Sequence, residues 1–333
     1  MDGVIDLLLP GTQWDALRAL IWVPFVALAI DWWRGEPPAA IHPVVWMGKA
    51  LGWCGERWAP LSPVPNDWRA FWSMALAWCA LAATVVATAW GLQWLALRFH
   101  DVIAAALLGL LLKPLLSWRM LHDEVLAVEA ALARSLPEGR EQLARLVSRD
   151  VSALSAGQVR ESAIESLAEN LNDSVVAPLF WFVLLGLPGA ALYRLANTAD
   201  AMWGYPGMRG GRYWQWAGKW AARADDVLSW LPARISALLL AVLARGVQLS
   251  TVARLARRTP SPNSGWPMAA MALALGVRLA KPGVYVLNAD ARDPGPLDTH
   301  RAAKLGTLLA LALIPVGVGA HMLITIVTTW VGA

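Results

Sequence analysis

Only two cysteines, Cys54 and Cys79, occur in the 333 residues. That is too few for a disulfide scaffold or a cysteine-rich metal site. Charge is scarce as well: Asp, Glu, Lys and Arg make up 16% of the chain, against about 25% in soluble domains. Tyr and Phe number only 4 and 5. There is no G-x-x-x-x-G-K-[ST], no G-x-G-x-x-G opening a βαβ unit, no H-E-x-x-H and no C-x-x-C. Any use of ATP therefore proceeds without a P-loop. Strand-like alternation, internal repeats and low-complexity tracts are also missing. Asp2 and Asp6 precede the first apolar run, where a signal peptide would carry basic residues, so that run is expected to be retained.

What the chain has instead is apolar bulk. The AVILMFWYC set reaches 57%, with 21 Trp and a mean hydropathy of +0.47. This excludes a disordered chain, a coiled coil and an ordinary soluble enzyme, and it predicts an integral membrane protein. The net charge of +4 is small beside that hydrophobicity. Basic loops facing an anionic leaflet account for it without nucleic acid as a partner.

The apolar stretches expected to enter the bilayer are Ala16–Ile30, Ala70–Leu97, Val102–Trp118, Ser174–Tyr193, Val227–Ala244 and Leu305–Trp330. The expectation is an all-α, polytopic membrane helical bundle of one domain over 1–333. A helical extramembrane segment over 119–173 belongs to it, with helices Arg119–Arg134, then one to about Val147 after a break at Pro137–Gly139. Ser155-x-x-Gln158 has the form of a capping box opening a third. The polar stretches between spans are all rich in Lys and Arg, although consecutive loops ought to alternate sides. Pro178, Gly186, Pro188 and Gly189 offer a resolution, because they allow Ser174–Tyr193 to be broken or re-entrant.

Four stretches carry chemistry. In the first, Arg149–Pro178, the acids Glu161, Glu165, Glu169 and Asp173 recur at steps of four. On an α-helix each such step drifts about 40°, giving one slanting stripe. Like charges at i,i+4 cost about 0.2–0.5 kcal/mol per pair. Solvent with Arg149, Arg160 and Arg194 nearby offsets that cost, or a divalent cation does, with Asn170 and Asn172 adding amide oxygens. The second stretch holds Asn197, Asp200, Tyr205, Arg212, Lys219, Arg223, Asp225, Asp226 and Arg234 among Trp203, Trp214, Trp216, Trp220 and Trp230. Its bases suit phosphate oxygens, and its tryptophans suit either a flat ligand or the bilayer interface. The third is Asp31…Gly35-Glu36-Pro37-Pro38…His42-Pro43, where His42 is an acid/base, a phosphate contact or a structural residue. The fourth, Ser261-Pro-Asn263-Ser-Gly265, reads as a turn starting a helix Met268–Leu279, with N–H groups free for an anion.

Taken in order, D31…GEPP…HPVVWMGK49, R149DVS…ESAIESLAENLNDSVVAPLF180, Y193RLANTADAMWGY205 with RY213…ARADDVLSWLPARISALLL240, and S261PNSGWPMAAMALALGVRL279 resemble the CobD/CbiB family of cobalamin-biosynthesis membrane proteins, the adenosylcobinamide-phosphate synthases. Leu171-Asn172, Ser174, Ser229 and Leu273 depart from the family's usual residues, while the charged positions stay in place.

The resemblance implies amide formation between adenosylcobyric acid and 1-amino-2-propanol or its O-phosphate. ATP would be the co-substrate and Mg²⁺ its companion, at the inner (cytoplasmic) membrane with the site on the cytoplasmic side. A homo-oligomer is compatible with it. Under that implication Glu165, Glu169 and Asp173 take metal or base roles, with Asn170 assisting. Arg149, Asp150, His42, Asn197, Asp200, Tyr205, Arg212, Lys219, Arg223, Asp225, Asp226, Arg234 and Asn263 hold substrate or phosphate. The rival readings are a non-catalytic AmpE-like membrane sensor and a corrinoid or amine transporter. A transporter needs ionisable residues inside its spans, and Ala70–Leu97 and Leu305–Trp330 have none apart from His321.

Overall fold

The computed structural model describes residues 13–331, with side chains omitted for a few of these at either end. Asp2 and Asp6 lie outside the described residues. In chain order the elements begin with α1 (Gln13–Arg34), a 3₁₀ turn (Ala39–Ile41), α2 (Pro43–Trp58), α3 (Trp68–Ala96) and α4 (Asp101–Leu112). Next come a 3₁₀ turn (Lys113–Leu115), α5 (Trp118–Arg134), α6 (Leu136–Leu143), α7 (Ala156–Leu171), a π-turn (Asn172–Val176) and α8 (Ala177–Trp203). After these lie β1 (Met208–Arg209), β2 (Arg212–Tyr213), α9 (Lys219–Ala244), α10 (Leu249–Ala256), α11 (Gly265–Leu275), β3 (Leu279–Lys281), β4 (Tyr285–Leu287) and α12 (Pro296–Val331).

The all-α expectation holds, with two small antiparallel hairpins added: Met208 pairs with Tyr213, and Leu279 with Leu287. These strands are too short for alternation to register in sequence. Among the described residues, five helical stretches are long and apolar enough to cross a membrane: Trp68–Ala96, Asp101–Arg134, Ala156–Trp203, Lys219–Ala244 and Pro296–Ala320. This is the make-up of a multi-pass membrane protein. Trp68, Trp72, Leu76 and Leu95 stand exposed along α3, as apolar side chains do when lipid is the solvent. We expect a salt wash to leave the protein in the membrane fraction and detergent to be needed for its release. Folded protein in the wash supernatant would contradict this.

Two compact units divide the chain. The first takes residues through Leu116, Ala177–Leu228 and the chain from Ile314 onward. Its core packs Leu51, Cys54, Met74, Trp78, Leu195, Trp203, Trp214 and Ala221 together. Trp203 and Trp214 stack with ring centroids 6.2 Å apart and planes 13° from parallel. Gly55 and Gly218 make the room: a Cβ on Gly55 would come within 2.7 Å of the Trp214 ring, and one on Gly218 would strike the Trp203 carbonyl. These two tryptophans are thus core residues, neither a ligand platform nor an interface belt. α8 is helical to Trp203 but kinked at Gly186 (φ 67, ψ −157). There Gln93 on α3 accepts the Leu187 N–H at 2.7 Å, satisfying a backbone donor that the kink would otherwise strand in an apolar setting.

The second unit comprises Ser117–Val176 and Ser229–Leu313, so the polar helical segment packs with later parts of the chain. The predicted break at Pro137–Gly139 falls earlier. α5 stops at Arg134, Ser135 caps α6 by accepting the Glu138 N–H, and Pro137 sits in the first turn, where its missing N–H costs nothing. α6 ends at Leu143, short of Val147. α11 likewise ends at Leu275, because Gly276 is left-handed at φ 65, and Leu279 begins β3.

Candidate functional site

In the second unit, α7 is the centre of the chemistry. Its capping box is complete: Ser155 N–H donates to Gln158 Oε1 at 2.8 Å, and Gln158 N–H to Ser155 Oγ at 3.3 Å. The box fixes where the helix begins and hence which residues face inward. Every residue from Glu161 to Ala168 is buried, Glu161 and Glu165 among them at 1% and 5% exposure. Burying a carboxylate is costly unless it is paired, and both are. Arg278 Nη2 lies 3.0 Å from Glu161 Oε1, and Arg278 Nε 3.1 Å from Asp293 Oδ1. Arg149 Nη2 lies 3.6 Å from Glu165 Oε2 and donates to Ser162 Oγ at 2.5 Å. Tyr285 on β4 donates to Met268 Sδ at 3.6 Å and lies near the Glu165 carboxylate; burial first, then the charge of Glu165, hold its phenol above the ordinary tyrosine range. Both oxygens of Glu161, Glu165 Oε1 and Arg149 Nε remain buried without hydrogen-bond partners.

The rest of the stripe is different. Glu169 is exposed and Asp173 half-buried. The π-turn at Asn172–Val176 adds a residue to the turn and rotates the residues after it away from the stripe. Asn172 Nδ2 donates to Asp173 Oδ1 at 2.8 Å, and Ser236 Oγ to Asn172 Oδ1 at 3.0 Å. Asn170 Nδ2 donates to the Ser166 carbonyl at 2.9 Å. Among the described residues no three acidic, histidine or cysteine side chains are grouped to hold a metal ion, so Glu165, Glu169 and Asp173 are not gathered into a cage. Asp150 is exposed; the Ser152 N–H donates to its Oδ1 at 2.8 Å and holds its carboxyl below the ordinary range.

Arg234, also in the second unit, stacks between Trp230 and Trp266 with its guanidinium carbon 4.4 and 4.7 Å from the ring centroids. It donates to Asn263 Oδ1 at 2.8 Å. Ser261 Oγ accepts the Asn263 and Ser264 N–H groups at 3.2 and 3.1 Å, so two N–H groups of the expected anion turn are already satisfied. Arg234→Lys keeps the charge but loses the planar stack and the fork of donors. It is expected to lower the melting temperature while Arg234→Ala lowers it further. Equal melting of wild type and both variants would show that the stack contributes nothing.

The remaining predicted residues lie in the first unit. Arg212 is spent on the C-terminal carbonyls of α2, donating to Ala59 O at 2.7 Å and to Glu56 O, a helix-capping use of a base. Lys219 lies 4.1 Å from the Trp216 ring, and the half-buried Tyr205 is covered by Arg209. Asn197 Nδ2 donates to Asp225 Oδ1 at 3.5 Å. The Asp200 carboxylate occupies the space that a side chain at Gly204 would need. Arg223 is exposed and 4.0 Å from Asp226. His42 caps α2 by accepting the Val44 N–H at Nδ1, and its Nε2 is 3.0 Å from Glu36 Oε2. That pattern assigns the ring proton to Nε2. Lys113 joins the group, with Nζ 3.3 Å from Asp31 and 3.0 Å from Glu36.

Sequence reasoning did not assign site roles to Glu161, Lys113, Arg278, Tyr285 or Asp293. Lys113 and Glu161 left a signal. Lys113 is a charge closing an apolar run, which marks a buried pair, and Glu161 was in the stripe. Arg278, Tyr285 and Asp293 left none, because they lie more than a hundred residues from α7.

The sequence profile of the CobD/Cbib protein family matches residues 24–314. The chain is 40% identical over 300 residues to a probable cobalamin biosynthesis protein CobD of Methanothermobacter thermautotrophicus, covering 88% of this chain and 94% of that one. It is 37% identical over 313 residues to the cobalamin biosynthesis protein CobD of Rhodobacter capsulatus, covering 87% and 96%. No solved structure matches. A profile match over most of the length, together with relatives this similar end to end, places the chain in the CobD/Cbib family of cobalamin-biosynthesis proteins.

Proposed function

We propose that this protein forms an amide bond in cobalamin biosynthesis, joining the free carboxylate of adenosylcobyric acid to 1-amino-2-propanol or its O-phosphate with ATP consumed. The reading puts it in the cytoplasmic membrane with its site on the cytoplasmic side, where ATP is. The observation that carries it is the pair of buried carboxylates on α7, each facing an arginine and each keeping at least one oxygen without a hydrogen-bond partner. A carboxylate is a poor acyl donor until activated. The corrinoid carboxylate takes a phosphoryl group from ATP and ADP leaves. The amine nitrogen then attacks the acyl carbon, the C–O bond to phosphate breaks, and the proton of the amine passes to a carboxylate. Glu165 is the candidate for that proton, because a buried group beside an arginine and a phenol is held in one orientation. Arg149 is the candidate for the charge developing on phosphate.

Magnesium is the usual companion of ATP. Among the described residues no three acidic, histidine or cysteine side chains are grouped to hold a resident ion, so the donor set here does not fit a metal held by the protein alone. Purified protein in detergent, given adenosylcobyric acid, either amine and magnesium–ATP, is expected to yield the amide and ADP, read by mass spectrometry. Corrinoid binding without any amide from either amine would leave a non-catalytic membrane relative as the reading.

A further inference from the structure

We infer that Glu161 and Glu165 together form a primary-ammonium subsite, in which Glu161 Oε2 and Glu165 Oε1 accept N–H groups from one small amine. The inference rests on the proposed amide-forming reaction for the identity of the amine and on the geometry alone for the subsite. Glu161 and Glu165 are one helical turn apart on the buried face of α7. Each spends one oxygen on an arginine from outside the helix: Glu161 Oε1 on Arg278, Glu165 Oε2 on Arg149. Glu161 Oε2 and Glu165 Oε1 face neither arginine and are buried without a hydrogen-bond partner, and Glu161 Oε1, though paired in charge with Arg278, also lacks one. An unsatisfied buried acceptor costs about 1–3 kcal/mol, and more when charged, so a donor group that meets Glu161 Oε2 and Glu165 Oε1 is favoured there.

The chemistry of that group is set by its surroundings. Arg278 is shared between Glu161 and Asp293, and the charge of Lys281 also acts on Glu165, so three cations answer three carboxylates and what stays unmet is carboxylate acceptor oxygens. A small group with several N–H donors matches, and a primary ammonium has three. No third acidic, histidine or cysteine ligand is grouped here for a resident divalent ion among the described residues. Tyr285 closes against the Glu165 carboxylate from β4. The β3 strand packs against α7, so the β3–β4 hairpin forms a wall beside the two carboxylates.

The test uses the full chain in detergent and 1-amino-2-propanol as the probe. Glu161→Gln keeps the shape and converts one anionic acceptor to a neutral amide. It is expected to raise the KM for the amine about tenfold or more, the scale of one charged hydrogen bond, with kcat and the KM for the corrinoid changed by less than about threefold. Amide formation with an unaltered amine KM would overturn the subsite and leave the ligase reading standing. Calorimetric binding of the amine, lost in Glu161→Gln, in a protein that makes no amide would leave the subsite standing and remove the ligase reading.

A variant that fails to fold is covered by a measurement on the wild type. Carbodiimide coupling of 1-amino-2-propanol is expected to give adducts at Glu161 or Glu165 that saturate with amine concentration, while adduct at exposed Glu169 grows linearly. Linear growth at all three positions would overturn the proposal.

Discussion

Glu165→Gln is expected to cut single-turnover amide formation by about a hundredfold or more, the scale of losing one well-placed charged group in a buried site. Glu169→Gln is expected to cost less than about tenfold. The sequence alone treats these two positions alike, four residues apart on one stripe. Burial separates them: Glu165 lies in the interior against Arg149 and Tyr285, whereas Glu169 is exposed and screened by solvent. The glutamine is isosteric, so the packing around α7 persists. Arg149, partly exposed and still bonded to Ser162, is not stranded. The melting temperature of Glu165→Gln should therefore stay close to that of the wild type. Equal losses at both positions would return the whole stripe to the mechanism, and normal turnover in Glu165→Gln would remove α7 from it.

The largest expected effect on stability comes from Arg160→Met. Arg160 meets Glu129 in a fork, Nε to Oε2 at 2.8 Å and Nη2 to Oε1 at 2.7 Å, and Thr299 adds a third donor at 3.1 Å. Glu129 is 5% exposed. These contacts tie α5, α7 and α12 together inside the second unit. Removing the arginine strands a buried carboxylate, which costs about 3–5 kcal/mol. Thermal melts in detergent should show a clear fall for Arg160→Met, and a partial recovery when Glu129→Gln is added, because the stranded charge is then gone. A double variant no more stable than the single one would mean that the fork, and not the unpaired charge, carries the stability.

Much of the fold was legible along the chain because its signals are local. A run of apolar residues spans or does not span by its own length, and the cap at Ser155 is set by two residues three apart. Kinks were legible too: Pro and Gly at 186–189 announced the break that Gly186 makes. The boundaries that moved did so for equally local reasons weighed wrongly. Pro137 starts α6, because the first turn of a helix tolerates a missing N–H, and Gly276 stops α11 by turning left-handed.

The site was legible only in part. Counting by fours assumes an unbroken α-helix, and the π-turn after Leu171 breaks that count before Asp173. Bases chosen for phosphate because they are bases turn out to differ in what they hold: Arg212 serves the end of a helix, and Arg234 a tryptophan pair and Asn263.

The sequence by itself determined that this is a helical membrane protein of a cobalamin-biosynthesis family, because composition and ordered motifs are properties of the chain. Only the tertiary structure decided which carboxylates of the stripe are buried and what faces them. Arg278, Asp293 and Tyr285 reach Glu161 and Glu165 across more than a hundred residues of chain. Such pairing comes from how helices pack, and burial in that packing is what turns an ordinary acidic helix face into a place where charge must be answered.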